Sequence, residues 1–291
     1  MESIGVYYAL LKVIGNQKSR NIKMDLTIVR KFSYFSVILS LCLPIFCADA
    51  NDTTPIPSSC RQIILVLTDS LKATNGTLYY FERDCTQTEW ILSNEKIPVV
   101  IGRNGLGWGL GLHDDSNILD LPIKEEGDGR SPAGVFNLSS VFGYKPADQM
   151  RKLKMPYIHI TEMSECIDDV TSKYYNQIVS REKIEKVENV DWQSSEKMSL
   201  AGIYYELGVM VDHNYDPIKK GAGSCIFLHN WANPDETTAG CTEAEPIKMK
   251  EIVYWLDESR SPVLIQLTKQ IYIDHIKDWE LPKIAKIEEK Y

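Results

Sequence analysis

What this chain lacks narrows its function before any motif is read. Positive charge is in deficit: 32 lysines and arginines stand against 40 acidic residues, a net charge of -8. No basic stripe is available to meet a phosphate backbone, which argues against nucleic acid as a partner. No run of like charge is long enough to form an interaction tail. Internal repeats, low-complexity segments and linkers are missing too, so the chain beyond its first fifty residues reads as one domain. The longest apolar run, Phe32 to Phe46, falls short of the ~20 residues that span a bilayer. A zinc site would need third and fourth ligands close to His229 and Cys241, and only Cys225 is near. No metal or other cofactor is expected. What remains, 44% apolar and 25% charged, is the composition of an ordinary folded protein.

The first fifty residues differ in kind. Arg30 and Lys31 precede the apolar run, and Ala48-Asp49-Ala50 follows it. A basic flank, a roughly fifteen-residue apolar stretch and a small-x-small site describe a secretory signal peptide. Residues 1–50 are therefore read as a signal with a long leading region, Met24 being a candidate start, and residues 51–291 as the mature domain. A retained membrane anchor is the alternative. Cleavage removes six basic and three acidic residues and leaves 26 positive against 37 negative, a net of -11. The expectation is an exported acidic domain in the periplasm or cell envelope, with no stable membrane span.

Apolar alternation predicts mainly β structure with accessory helices. "RQIILVLTDS" and "GTLYYFERD" read as an antiparallel pair across a turn at Asn75-Gly76. With Thr68 facing Thr77, Cys60 falls opposite Cys85, as a disulfide or as two facing thiols. In "GRNGLGWGLGLH", glycines alternate with Leu106, Trp108, Leu110 and Leu112, leaving one face bare for close packing. His113 at its end reads as structural. Residues 161–200 read as an insertion over one face of the sheet, helical only around Lys173 to Lys186. "YYELGVMVDHN", "SCIFLHNW" and "SPVLIQL" read as further strands. Helices are expected from Pro246, with an apolar stripe of Met249, Ile252, Val253 and Leu256, and from Lys269 to Trp279.

Chemistry concentrates at "SCIFLHNWANPDETTAGC". His229 ends an apolar run, and Cys241 follows Gly240 in a polar loop. Glycine lets backbone amides approach a reacting carbonyl, and a following helix N-terminus would favour thiolate. The pair can be a nucleophile with its base, a disulfide partner beside a structural histidine, or half a metal site.

The set "GDGRSPAGVF", "IFLHNW" and "TAGC" ahead of a helix and a "PVLI" strand resembles the L,D-transpeptidase catalytic domain of the YkuD type, over most of the mature chain. The resemblance implies a β-sandwich or barrel-like fold. It implies Cys241 as the nucleophile, His229 as its general base and Gly240 beside the oxyanion site. Asp212 and His213 of "VDHN" and Trp231 of "IFLHNW" become candidates to line the substrate cleft, with a structural role open for the first two. The implied substrate is a peptidoglycan stem peptide. If Cys241 stays free, the other four cysteines can pair as Cys60–Cys85 and Cys166–Cys225, the second by elimination alone. Many members carry Ser-His-Gly-Cys where this chain has Thr238-Ala239-Gly240-Cys241, and arginine where it has Glu243. L,D-carboxypeptidase activity and non-catalytic wall binding are the rival expectations. A papain-like peptidase fits least, because its usual order puts cysteine before histidine.

Export carries its own test: protein recovered outside the cytoplasm should begin at Asn51. N-terminal sequencing that still finds Phe32 to Phe46 would establish an anchor instead.

Overall fold

The computed structural model describes residues 54–84, 89–93, 96–114 and 121–284. The expected signal segment and Cys85 lie outside them. The strands are β1 Gln62–Thr68, β2 Asn75–Glu82, β3 Ile91–Leu92, β4 Ile97–Val100, β5 Leu106–Trp108, β6 Ser131–Gly143 and β7 Tyr157–His159. They continue with β8 Ser164–Cys166, β9 Ile178–Ser180, β10 Glu196–Lys197, β11 Leu207–Val211, β12 Phe227–Asn230, β13 Thr242–Ala244 and β14 Val263–Thr268. Three α-helices are present among the described residues: α1 Arg181–Glu185, α2 Pro246–Trp255 and α3 Lys269–His275.

The main sheet runs β1-β14-β6-β11-β12-β13-β4-β2, and β2 pairs with β1 as well, so the sheet closes on itself as a barrel. β3 extends β2, while β5 and β7 attach to the long β6. The fold is mainly β, and the closed sheet is barrel-like.

β1 shows why the ring holds. Its seven residues are buried on both faces, because two apolar layers meet across it. Ile64 and Val66 pack with Leu78, Phe136, Leu228 and the α2 stripe of Met249, Ile252 and Val253. Ile63, Leu65 and Leu67 pack the other way, with Ile265, Leu267 and Tyr272 of α3. The period of two divides one strand between two cores, and each such side chain contributes roughly 1.5–3 kcal/mol on full burial. Buried Gln62 fastens the end of α2 to this strand: its Nε2 donates to the Trp255 carbonyl (2.9 Å) and its Oε1 accepts from the Asp257 amide (2.8 Å).

The hairpin expectation needs a correction. Leu67, not Thr68, faces Thr77. Asn75 and Gly76 belong to β2, where Asn75 pairs with Val100 of β4, so the turn lies before them. A one-residue slip sends every side chain to the other face, and the observed register runs Cys60 toward Asp84 rather than Cys85. Cys60 is a free, buried thiol that donates to the Gln62 carbonyl (3.3 Å). Burial pushes its pKa up to about 12. The expected partner Cys85 lies outside the described residues.

Helical expectations shrink at two places. Around Lys173 to Lys186 only Arg181–Glu185 is α-helical, because Ile178–Ser180 pairs with β8. The last helix stops at His275, short of Trp279. The bare glycine face does what its pattern implies. A Cβ on Gly111 would meet the Val135 carbonyl at 2.2 Å, and one on Gly109 would meet Pro132 and the His213 ring within 2.9 Å. His113 bridges backbone: its Nδ1 accepts from the Val135 amide (3.0 Å), and its Nε2 lies 3.1 Å from the Gly109 carbonyl.

His113 also sets a test. Gly134 has φ +137°, and a Cβ there would lie 1.9 Å from the His113 ring. Gly134→Ala should destabilise the fold by roughly 3 kcal/mol or more, read as a lowered urea midpoint. A midpoint near wild type would show that the ring moves aside at little cost.

Candidate active site

Cys241 is gripped through its own backbone. Its carbonyl accepts from the Ser131 hydroxyl (3.0 Å) and the Thr238 hydroxyl (2.7 Å). Ser131 Oγ takes the Gly102 amide (2.9 Å), and Thr238 Oγ1 takes the Gly240 amide (3.0 Å). Thr238 is in turn held against Ile101 and Arg103 by two backbone bonds of 3.2 and 2.9 Å. The "GRSPAG" and "TAGC" motifs thus meet at one carbonyl. Gly240 is small because a Cβ there would press on the Arg130 carbonyl at 3.1 Å and on Ile226 at 3.3 Å.

The sulfur accepts from the Phe227 amide (3.4 Å) and donates to the Cys225 carbonyl (3.4 Å). β12 and β13 run parallel, with His229 in register with Glu243. Strand alternation therefore puts Cys241, two residues before Glu243, on the face that His229 shares. His229 Nδ1 lies 2.9 Å from the Asn230 carbonyl. A carbonyl only accepts, so the proton sits on Nδ1 and the Nε2 lone pair is left open. Nε2 is 3.8 Å from Glu243 Oε1.

A lid of inserted chain covers both groups. β8, β9 and β10 form a small separate sheet, and the kinked 3₁₀ segment Met198–Tyr205 follows it. The Tyr205 ring lies edge-on to His229 at 5.1 Å and to Phe227 at 5.5 Å, and it shares an apolar cluster with Cys241. Cys241 keeps 9% of its surface and His229 4%. A disulfide between Cys166 of β8 and Cys225, just before β12, ties lid to site, with Cα atoms 6.0 Å apart. Buried Glu165 organises the lid, accepting from Arg181, Lys197 (2.6 Å), Ser195 (2.7 Å) and Trp192 (2.8 Å). Burial works to raise its pKa, but these donors outweigh it and hold the carboxyl at about 2.

The electrostatics do not favour a resting thiolate. Burial pushes the Cys241 thiol well above its ordinary value, with Glu196 and Glu243 adding to it. The expected help from a helix N-terminus is missing, because β13 stands between Cys241 and α2. Nor does the polar loop expose the sulfur, because the lid covers it. Glu196, whose carboxylate accepts from Tyr205, is raised to about 7 by burial. Burial likewise raises Glu243 to about 7 and lowers His229 to about 4. At neutral pH the imidazole is uncharged.

The remaining sequence candidates lie elsewhere. His213 spends both ring nitrogens on backbone: Nδ1 accepts from the Leu110 amide (3.2 Å), and Nε2 donates to the Ala222 carbonyl (2.8 Å). It is 1% exposed and acts as a staple for the loop after β11. Asp212 accepts from Ser139 (2.6 Å) and lines a cavity of about 220 Å³ with Leu110, Asn137 and Tyr215, which neither Cys241 nor His229 touches. Trp231, half-buried, continues the β12–β13 ladder through its amide to Ala244 (2.9 Å). Thr238, Ser131, Glu196 and Tyr205 lie inside distinctive sequence segments, but nothing in the spacing of those segments assigns them a role. Among the described residues no group of three or more His, Cys, Asp or Glu could hold a metal.

These shifts fix the sign of a stability test. Glu196 has its pKa raised from 4.5 to about 7, so the stability it contributes is present below pH 4.5 and lost as pH rises through 7. Glu196→Gln keeps an oxygen for Tyr205. It should match wild type at pH 4.5 and exceed it by roughly 2–3 kcal/mol at pH 8. Urea titrations at the two pH values check this, and a gain equal at both would remove the carboxylate from the account. His213 and His229, both lowered from 6.5 to about 4, act oppositely: their stability is present above pH 6.5 and lost as pH falls through 4.

Comparison with known proteins agrees with this architecture. Residues 71–265 match the family model of the YkuD L,D-transpeptidase catalytic domain. No match was found among curated proteins or among solved structures. With two thirds of its length covered by that match, the chain belongs to the YkuD family of L,D-transpeptidase catalytic domains.

Proposed function

We propose that the protein transfers acyl groups between peptidoglycan stem peptides through a thioester on Cys241. The observation that carries the proposal is the Nδ1 bond from His229 to the Asn230 carbonyl, which leaves Nε2 open on the face that bears the sulfur. In the first step Nε2 takes the thiol proton as sulfur attacks the carbonyl ahead of the terminal D-alanine. The Gly240 amide is occupied by Thr238, so the Cys241 amide is the donor for the oxyanion. The C–N bond breaks, D-alanine leaves with the proton from Nε2, and the thioester remains. An amine of a second stem then attacks, its proton passes through Nε2 to the sulfur, and a cross-link is released. Water in the amine's place gives the carboxypeptidase outcome. The chemistry needs no cofactor, and the apolar run before Ala48-Asp49-Ala50 supports export to where the polymer lies. Among the described residues no helix is long and apolar enough to cross a membrane.

Burial of Cys241 and His229 beneath Tyr205 favours a second reading, a non-catalytic wall-binding protein. A free sulfur and an unprotonated Nε2 support transfer over it, with the lid displaced by substrate.

Purified protein incubated with tetrapeptide muropeptides separates these readings by product mass. Cross-linked dimers support transfer, tripeptide alone supports hydrolysis, and unchanged substrate supports binding only. Cys241→Ala should abolish the covalent adduct with a carbapenem, and an adduct persisting in the mutant would sink the nucleophile assignment. His229→Ala should slow acylation by roughly 10²–10⁴-fold in a folded protein. Because neutral His229 takes the proton from a protonated thiol, wild-type acylation should rise as pH passes the His229 pKa of about 4 and then stay level to pH 8. A rate that keeps rising above pH 8 would mean that attack waits on thiolate formed by solvent, without the imidazole as base.

A further inference from the structure

The residue facing the base, Glu243, has no role in the acyl-transfer steps above. Its side chain is 7% exposed, and its one ion-pair contact among the described residues is His229 Nε2 at 3.8 Å. Since burial keeps that imidazole neutral at pH 7, the pairing supplies no positive charge. Glu196, which acts electrostatically on the sulfur, is bonded by Tyr205 and by no basic side chain among the described residues. A third carboxylate, Glu236 on the loop between β12 and Cys241, accepts from Tyr204 (2.8 Å), whose ring lies 6.2 Å from His229.

An independent observation points the same way. The side-chain oxygen of Asn230, adjacent to the base, is buried with no hydrogen-bond partner among the described residues. Its amide nitrogen is spent on the Ile203 carbonyl of the lid (2.9 Å). Beside the base, Glu243 accepts no hydrogen bond and Asn230 Oδ1 has no partner among the described residues. Buried acceptors of this kind are costly unless a ligand completes them. The completing group must bear positive charge and several N–H donors, which describes a primary ammonium and excludes a carboxylate or phosphate.

We infer that Glu243 binds the ammonium of the acceptor stem beside His229, and so directs the thioester toward aminolysis rather than hydrolysis. The inference rests on the transfer reading and names its second substrate. The steps balance. The acceptor R–NH3+ gives one proton to the Glu243 carboxylate, leaving R–NH2. The nitrogen lone pair attacks the thioester carbon, the C–S bond breaks, and the second proton moves through Nε2 to the sulfur. The products are the amide and the Cys241 thiol, and Glu243 returns its proton to water. Burial, which makes this carboxyl a stronger base than an exposed one, suits it to that exchange.

The test measures partition within one acyl-enzyme, so the rate of acylation drops out. Full-length mature protein is acylated with a tetrapeptide donor, freed of excess donor, and offered either an amine-bearing stem or the same stem with its amine acetylated. The ratio of cross-linked to hydrolysed product is then read by mass. Wild type should favour the amine over water by at least tenfold at millimolar acceptor, and the acetylated stem should give hydrolysis alone. Glu243→Gln should lower the ratio about tenfold or more, and Glu243→Asp should restore part of it. An unchanged ratio in Glu243→Gln overturns the inference and leaves the transfer reading standing. So does an equal loss in Glu243→Gln and Glu243→Asp, which marks a packing role. Failure of wild type to form any acyl-enzyme overturns the transfer reading, and this inference falls with it.

Discussion

The parallel register of β12 against β13 is the constraint from which the site follows. It fixes His229 opposite Glu243 and sets Cys241 on the same face. Hydrogen bonds to the Cys241 carbonyl from Ser131 and Thr238 then hold the approach to β13. The barrel behind supplies the rigidity, since closure of β1 on β2 leaves these strands no free edge along which to slip. His229 on β12 and Cys241 at the entry to β13 are aligned by the sheet itself, with little left to loop conformation.

The environment around that pair is closed and acidic. Tyr205 roofs it, the Cys166–Cys225 link ties roof to floor, and Glu243 faces a neutral imidazole. Burial in such a site favours the protonated form of the sulfur.

Much of this was legible in the sequence where apolar periodicity was strong. The strands ending at Val211, Asn230 and Thr268 and the Met249 to Leu256 stripe all announce themselves. β13 does not, because Thr-Glu-Ala is three residues with no apolar pattern, and missing it put a helix beside the sulfur where a strand stands. The hairpin register was read one residue off because Asn75-Gly76 looks like a turn and is instead a strand start paired with β4. For His213 the sequence leaves cleft and structural roles open, because the backbone groups it serves come together only in three dimensions. The roof was illegible for the same reason, since Glu196 and Tyr205 approach Cys241 through tertiary folding and leave no spacing to read.

The loop joining His229 to Cys241 is fastened at both ends. Trp231 is bonded to Ala244, and Thr238 is held to Ile101 and Arg103, while residues 232–237 between them are exposed. Doubling an exposed loop of this kind adds only about 0.6 kcal/mol of closure entropy. Evolution can therefore lengthen, shorten or rewrite this segment while the sulfur and imidazole keep their alignment. The distance from histidine to cysteine along the chain is free to drift between lineages, and the segment is open ground on which a new specificity can be written.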